Sequence, residues 1–214
     1  MWSNQSHHKN FYDSYRNPNT LEEPPTLSEN MHYFFSYQVN YMFWRYFGWN
    51  FIGKQNDLQG QANNPYHGNV ISGFNGIDKK ILGTDPANVP HNGINNKGEN
   101  KFYFLPLILG LIGVLFQILK SPKDFFVTLV LFFFTGLAII IYLNQTPYQP
   151  RERDYSYAGA FYAFAIWIGI GVAGLTVWLK KFLSGEISLA AAGLISVSVP
   201  YLMATQGWDD HNRS

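Results

Sequence analysis

Four consecutive charged residues interrupt the apolar second half of this chain, and they limit the folds that it can adopt. They are Arg151, Glu152, Arg153 and Asp154, within the stretch PYQPRERDYSYAGAFYAF. A charge at a bilayer centre costs roughly 2.5 to 3.5 kcal/mol, so four together would cost on the order of 10 kcal/mol. We therefore predict that this charged block lies at a membrane surface or in a wet cavity. Arginine beside tyrosine favours an anionic headgroup, because guanidinium binds phosphate through paired donors; a plain charged turn is the alternative.

The composition divides the chain into two halves. Of the 214 residues, those before 102 are polar and rich in Asn, Gly and aromatics, whereas Leu, Ile, Val, Phe, Ala and Gly dominate afterwards. The net charge of +1 argues against a nucleic-acid partner, and the lack of cysteine excludes disulfides and thiolate metal sites. The first twenty residues hold no apolar core of the length that a secretory signal needs. We expect a chain that is half membrane protein and a piece of something longer.

The polar half predicts three successive regions. Residues 1–30 carry three prolines and little apolar periodicity, so we expect an extended polar segment. Residues 31–57 are dense in Tyr, Trp and Phe, which predicts a helix in the headgroup layer, with Trp44, Arg45, Trp49 and Asp57 at the interface. A spanning helix and the aromatic core of a soluble domain are the alternatives. Residues 58–101 are rich in Asn and Gly turn pairs and predict an extracytoplasmic loop region.

The apolar half predicts four transmembrane helices within residues 102–206. The uncharged stretches are 102–119, 125–143, 155–179 and 187–205. At about 1.5 Å per residue, eighteen residues cover about 27 Å, close to the ~30 Å hydrocarbon core. Ser121 and Pro122 read as the N-cap and first residue of the second helix. The predicted fold class is all-α: a polytopic membrane protein of about four transmembrane helices, an aromatic-rich interfacial helix and an extracytoplasmic loop region.

Small residues in the third span predict close helix packing. Ala165, Gly169 and Ala173 recur every four residues, a spacing that lets two membrane helices approach closely. Gly169, Gly171 and Gly174 also spell a GxGxxG pattern. A dinucleotide fingerprint would need a strand before it, and these glycines lie inside an uninterrupted apolar span, so we assign the pattern to packing.

The C-terminal residues hold a second group of candidate site residues. With four spans, the aromatic segment, the charged block and residues 207–214 share one side of the membrane. Asp209, Asp210 and His211 open a predicted C-terminal soluble region there. Carboxylates beside an imidazole could ligate a divalent cation or act on a hydroxyl acceptor as a general base, or simply end a solvated helix. We do not expect a bound divalent metal ion.

Three stretches resemble one family. RYFGWNFIGKQND (45–57), LNQTPYQPRERDYSYAGAFYAFAIWIGIGV (143–172) and QGWDDHNRS (206–214) resemble, in order and spacing, the middle of a large family of bacterial multi-pass membrane proteins. That family, long known only as a domain of unknown function, is related to an animal transmembrane protein O-mannosyltransferase and is grouped with GT-C-type glycosyltransferases. The resemblance covers nearly the whole chain from about residue 31.

The resemblance implies a lipid-linked sugar donor as substrate, polyprenyl-phosphate-mannose, and transfer to a protein hydroxyl on the extracytoplasmic face of the bacterial inner membrane. Arg151 and Arg153 match the arginines of the family's PRERDY motif and would bind the donor phosphate, with Glu152 and Asp154 orienting them. The remaining candidates, Asp209, Asp210 and His211, match the stretch that leads into the family's soluble region and would lie on the acceptor side.

One departure from the family affects activity. GT-C enzymes carry their catalytic acid in the first extracytoplasmic loop, and we find no span before the corresponding region here. We therefore expect a middle portion that is inactive alone and depends on the remainder of its full-length chain. The rival function is a non-catalytic membrane scaffold or assembly subunit. A transporter is a third class, disfavoured because the predicted spans carry no ionisable residue.

Overall fold

The computed structural model describes residues 6–58, 64, 66–84, 98–147 and 153–211, except for the side chains at positions 6, 7, 154 and 209–211. Across these residues the protein is mostly helical, with one two-stranded sheet. The polar half contains α1 (Ser6–Asp13), a 3-10 turn (Pro18–Thr20), α2 (Leu27–Tyr33), a π-helical segment (Phe34–Trp44), α3 (Arg45–Phe51), β1 (Gly53–Lys54), α4 (Asn75–Ile77), a second π-helical segment (Asp78–Leu82) and β2 (Asn100–Lys101). The apolar half contains α5 (Leu105–Lys120), α6 (Pro122–Thr135), α7 (Leu137–Leu143), a 3-10 turn (Asp154–Tyr157), α8 (Ala158–Leu179) and α9 (Gly185–His211).

Residues 13–33 form a folded unit and differ from the extended segment that we expected. The Thr26 hydroxyl accepts a hydrogen bond from the Glu29 N–H at 3.3 Å, and the Glu29 carboxylate accepts one from the Thr26 N–H at 2.8 Å. Such a reciprocal cap contributes about 1 kcal/mol to a helix start. The buried Arg16 side chain donates to three backbone carbonyls, those of Thr20, Leu21 and Glu23. Because these carbonyls gain a partner, the proline-rich turn can fold back.

A tyrosine cluster attaches α1, which contains Tyr12, to α2 and the π-helical segment that follows it. Tyr12, Tyr33, Tyr37 and Met42 are buried together. The Tyr12 and Tyr33 rings meet edge to face at 5.1 Å, and the Tyr33 and Tyr37 rings stack at 5.3 Å. Burial raises the pKa of Tyr33 far above its usual value and also raises the pKa of Tyr12. These phenols therefore stay protonated at physiological pH and act as packing groups.

Residues 27–51 run as one helix, which we call the aromatic helix. It begins four residues before the predicted segment and ends six residues before its predicted end. Its middle part is π-wound, a rare winding that is usually confined to one turn. Gly53 closes it at a φ of 145°, a value that glycine adopts readily. A Cβ at Gly53 would lie 2.5 Å from the Ile71 carbonyl oxygen.

A small sheet joins the end of the aromatic helix to the start of α5. Strands β1 and β2 are antiparallel, with Gly53 opposite Lys101. The Phe102 N–H donates to the Ile52 carbonyl at 2.9 Å, and the Tyr103 N–H donates to the Ser72 carbonyl at 3.0 Å. The polar half is therefore held at the end of the apolar helices where α5 begins.

Three helical stretches in the described residues are long and apolar enough to cross a membrane: Pro122–Leu143, Tyr155–Leu179 and Gly185–Trp208. The first of them comprises α6 and α7, and α6 begins at Pro122, as predicted. The first predicted span, 102–119, corresponds to α5, which is apolar but has 16 residues. It starts late because Tyr103 and Phe104 adopt left-handed backbone angles. The described residues therefore contain three candidate spans and one shorter apolar helix.

Helices α5 and α8 cross in close contact at glycines. A Cβ at Gly113 would overlap the Trp167 carbonyl oxygen, and a Cβ at Gly171 would overlap the Leu109 carbonyl oxygen. The predicted packing stripe lies elsewhere: Ala165, Gly169 and Ala173 are exposed, and a Cβ at Gly169 would meet no atom within 4 Å. The predicted stripe is wrong for contacts within the described chain, because α8 carries small residues on two faces. Gly171 and Gly174 do pack, as we assigned them.

One buried hydrogen bond also connects these two helices. The Trp167 indole N–H donates to the Gln117 side-chain oxygen at 2.7 Å. Both residues are buried. A polar group in an apolar environment needs such a partner, because leaving it unsatisfied costs about 1 to 3 kcal/mol. The pair therefore fixes the register of α5 against α8.

Candidate functional site

The aromatic helix packs against one end of the apolar helices and builds the floor of the candidate site. Phe43 is fully buried, with its ring 5.9 Å from Phe132 in α6 and 5.6 Å from Tyr157 at the entry to α8. Phe47 and Phe51 both contact Phe164, at 4.7 and 4.6 Å. Aromatic pairs at such distances add about 0.5 to 1.5 kcal/mol each beyond the area that they bury. The aromatic helix is therefore an integral part of the helical core as well as a surface element.

Arg45, predicted at the interface, is buried on the other face of the aromatic helix. Its guanidinium carbon lies 4.0 Å from the centre of the Tyr41 ring and 4.7 Å from that of Trp49. The side chain donates to the Gly68 carbonyl at 3.0 Å and to the Tyr41 carbonyl at 3.2 Å. Stacking of this kind stabilises a desolvated cation by about 2 kcal/mol. Arg45 therefore ties the 66–70 loop to the helix.

A cavity of about 380 Å³ lies beside Arg45. Its polar lining comes from Asn40, Arg45 and Asn69, and Trp44 forms part of its apolar wall. Trp44, also predicted at the interface, is exposed. The Trp49 indole is half-buried and donates to the Gly68 carbonyl at 3.1 Å.

Asp57, the fourth predicted interfacial residue, forms an ion pair with Lys54 at the surface. The Lys54 ammonium also lies 5.1 Å from the centre of the Trp49 ring. An exposed ion pair contributes at most about 1 kcal/mol. Asp57 therefore serves the turn after β1 and makes a minor contribution to stability.

The charged block lies partly outside the described residues. Arg151 and Glu152 fall there, and only the backbone of Asp154 is described, at the start of the 3-10 turn that leads into α8. Arg153 is exposed beside it. Tyr157, one turn further on, is buried against Phe43. The described end of the block therefore leads, within one turn, into the contact between the aromatic helix and the start of α8.

Gln145, six positions before the block in the sequence, is a candidate site residue that the sequence analysis missed. It is 8% exposed, and neither its side-chain oxygen nor its side-chain nitrogen has a hydrogen-bond partner among the described residues. The preceding residue, Asn144, ends α7 in a left-handed conformation and accepts a hydrogen bond from Gln38 of the aromatic helix at 3.0 Å. Buried amides are nearly always paired, so an unpaired one needs an explanation. A polar ligand that reaches this position would supply it.

The C-terminal candidates share this end of the molecule. Asp209, Asp210 and His211 lie in the last turn of α9, and their side chains are outside the described part of the structure. Gln206, one turn earlier, exchanges two hydrogen bonds with the backbone of Lys101 in β2, accepting from its N–H and donating to its carbonyl at 2.8 Å. This pairing anchors the end of α9 beside the sheet. In the described part of the chain, no three His, Asp or Glu side chains are grouped to hold a metal ion.

Comparison with known proteins yields no match of any kind: no family model, no curated protein and no solved structure is similar to this chain. The function must therefore be argued from the site itself. Among the described residues, the exposed Arg153, the buried Gln145 amide without a described partner and the aromatic floor are the features from which it can be argued.

Proposed function

We propose that this chain is the membrane-embedded portion of a protein O-mannosyltransferase-like enzyme of the GT-C type, and that it holds the phosphate of a lipid-linked sugar. The donor would be polyprenyl-phosphate-mannose and the acceptor a protein hydroxyl. Supporting this is the resemblance of the three motifs at 45–57, 143–172 and 206–214. The observation that carries the proposal is the buried Gln145 amide, unpaired among the described residues, six positions before the charged block in the sequence.

In this proposal the charged block binds the donor headgroup. Arg151 and Arg153 donate to the phosphate oxygens, since a guanidinium presents two parallel donors to one phosphate. Glu152 and Asp154 orient the arginines. The Gln145 nitrogen supplies one more donor. Arginine at this position suits a lipid phosphate, because the block adjoins the start of the apolar stretch Tyr155–Leu179.

The proposed membrane arrangement has four crossings, α5 included. The polar half, the charged block and the end of α9 then share the extracytoplasmic face of a bacterial inner membrane. The contacts between Phe43 and Tyr157 and between Gln206 and Lys101 support this grouping. Asp209, Asp210 and His211 would face the acceptor protein, and the main catalytic acid would come from the remainder of the full-length chain.

The test is a double substitution in the full-length protein. Replacing Arg151 and Arg153 together by Ala should abolish transfer of mannose from a polyprenyl-phosphate carrier, with membrane insertion unchanged. Each lost charge-assisted contact is worth about 1.5 to 3 kcal/mol, so the pair predicts a loss of 10²-fold or more. Membrane insertion would be followed by carbonate extraction and activity by radiolabelled mannose transfer.

The matched control is the Lys180→Ala, Lys181→Ala double variant, which removes two positive charges from the exposed loop at the opposite end of α8. It should transfer mannose at the normal rate. If the arginine variant keeps its activity, the phosphate-binding role is wrong. Equal losses in both variants would mean that net charge, and not a specific site, is responsible.

The second candidate function is a membrane scaffold without catalysis. The observation that favours it is the use of Arg45 as an internal clamp, because its guanidinium is taken up by ring faces and backbone carbonyls. A scaffold would show no mannose transfer in the complete protein and would lose a bound partner when the aromatic helix is altered. The same transfer assay therefore separates the two functions.

A further inference from the structure

An exposed amphipathic segment, residues 74–82, protrudes from the polar half. It comprises Phe74, α4 and the π-helical turn Asp78–Leu82. Ile81 is 76% exposed and Phe74 is 46% exposed. Lys79 and Lys80 are exposed between them. Phe74, Ile77 and Ile81 line one surface depression and so form a contiguous apolar patch beside the two lysines. A contiguous exposed apolar patch is typical of a surface that meets a partner.

The segment is held rigidly, so its exposed face is a built feature. Asp78 is fully buried, and its carboxylate accepts hydrogen bonds from the Ser72 N–H at 2.7 Å, the Ser72 hydroxyl at 2.6 Å and the Gly73 N–H at 3.1 Å. At the other end Gly83 turns the chain with a φ of 70°, and the Thr84 N–H donates to the Asp78 carbonyl at 2.9 Å. These hydrogen bonds hold the Asp78 side chain in the interior, and its neighbours Lys79 and Lys80 lie on the surface.

The position of the segment identifies its partner. The Phe74 ring packs edge to face on Tyr103 at 5.4 Å. Tyr103 lies two residues before α5, whose outer face starts with the exposed residues Leu105 and Ile108. The apolar surface of residues 74–82 therefore continues directly into the apolar surface of a helix that we assign to the membrane. A protein partner would need no such continuity.

We propose that residues 74–82 are an interfacial anchor that dips into the lipid headgroup layer, with Phe74 and Ile81 at the acyl boundary and Lys79 and Lys80 near the lipid phosphates. This inference rests on the membrane insertion proposed above. The short α5 supports it: at 16 residues it spans about 24 Å, less than the ~30 Å hydrocarbon core. A short helix draws the bilayer surface toward its ends, which brings the headgroups to Phe74.

The chain contains no cysteine, so a single introduced cysteine can carry a spin label at a chosen site. We would label Ile81→Cys, Phe74→Cys, Leu27→Cys and Ile141→Cys in the protein reconstituted into vesicles of phosphatidylcholine and phosphatidylglycerol. Leu27 is the matched control, because it is 78% exposed at the start of the aromatic helix, four residues before the segment that we predicted to be interfacial. Ile141 is exposed within the apolar stretch Pro122–Leu143 and reports on insertion itself.

Collision with oxygen, which concentrates in lipid, and with a water-soluble nickel chelate gives the depth of each label. We expect the labels at 74 and 81 to collide more with oxygen than with nickel, and the label at 27 to show the reverse. Nickel accessibility at 81 equal to that at 27 would overturn the anchor, and so would protection of 81 from both reagents, which indicates a protein cover. A nickel-accessible label at 141 would instead overturn the membrane insertion.

The lysines give an independent check on the same label. Replacing Lys79 and Lys80 by Ala should make the label at 81 shallower in vesicles that contain phosphatidylglycerol and leave it unchanged in pure phosphatidylcholine. Each lysine near an anionic surface contributes about 1 kcal/mol. If the label at 81 has the same depth in both lipid mixtures while Lys79 and Lys80 are present, the lysines do not bind the headgroups.

Discussion

Glu29 is the residue whose ionisation most clearly supports local structure. Hydrogen bonds from the backbone N–H of Thr26 first, and then from that of Asn17, lower the pKa of Glu29 to about 2 from a usual 4.5. Because the pKa in the folded state is the lower one, the carboxylate stabilises the fold fully above pH 4.5. That stability is lost as the pH falls toward 2.

We therefore predict that residues 13–33 open between pH 4.5 and pH 2. Pepsin, which is active in this window, should cut the chain faster near Tyr15 and Leu21 as the pH falls. The Glu29→Gln variant should be cut faster already at pH 4.5 and should change less with pH, because it cannot lose a charge. Equal pH dependence in the two proteins would rule out Glu29 as the titrating group.

The burial and contacts of single residues could be predicted only in part from the sequence. Aromatic density around Trp44 and Arg45 predicted a membrane-proximal helix, but burial of Arg45 depends on Gly68, which is distant in sequence. Gln145 was missed because it follows an apolar run in a polar turn, where glutamine is normally solvated. Gln145 is a candidate because its side chain is buried without a partner among the described residues. Burial of this kind cannot be predicted from the neighbouring sequence.

For the helices, the length of each uncharged apolar stretch was the feature that predicted their positions. The high cost of a charge in lipid makes uncharged stretches stand out, and the three candidate spans fall where we predicted apolar helices. The sequence did not predict which face of α8 packs against its neighbour, because small residues with four-residue spacing occur on two sides of this helix. The three-dimensional contacts select Gly171 and leave Gly169 open.

This difference between two glycines of one helix gives a direct test. Gly171→Ala should destabilise the protein by about 1 to 3 kcal/mol, because a methyl group there overlaps the Leu109 carbonyl oxygen and forces α5 away. Gly169→Ala meets no atom within 4 Å and should leave stability equal or slightly higher, since alanine favours helix over glycine. Thermal unfolding in detergent would measure both. A larger loss for Gly169→Ala would contradict the observed packing of α8.

At the scale of the whole molecule, three independent connections gather the polar elements at one end of the helices. The aromatic helix packs on Tyr157, Gln38 bonds to Asn144, and Gln206 bonds to β2. None of these pairs is near in sequence, so their meeting was predictable only through the alternation of membrane crossings. The proposed glycosyltransferase-like function depends on this grouping, because donor phosphate, acceptor and aromatic floor would have to lie on one membrane face.

The central claim is therefore best tested by the sidedness of the helix ends. Single cysteines at Leu27, Tyr155, Trp208, Lys123 and Ser184 would be probed in sealed, oriented vesicles with a membrane-impermeant maleimide. With four crossings, we predict that positions 27, 155 and 208 react from one side and that positions 123 and 184 react only from the other. Reaction of 27 and 123 from the same side would mean that α5 does not cross the membrane, and the grouping of the polar half with the charged block on one face would be contradicted.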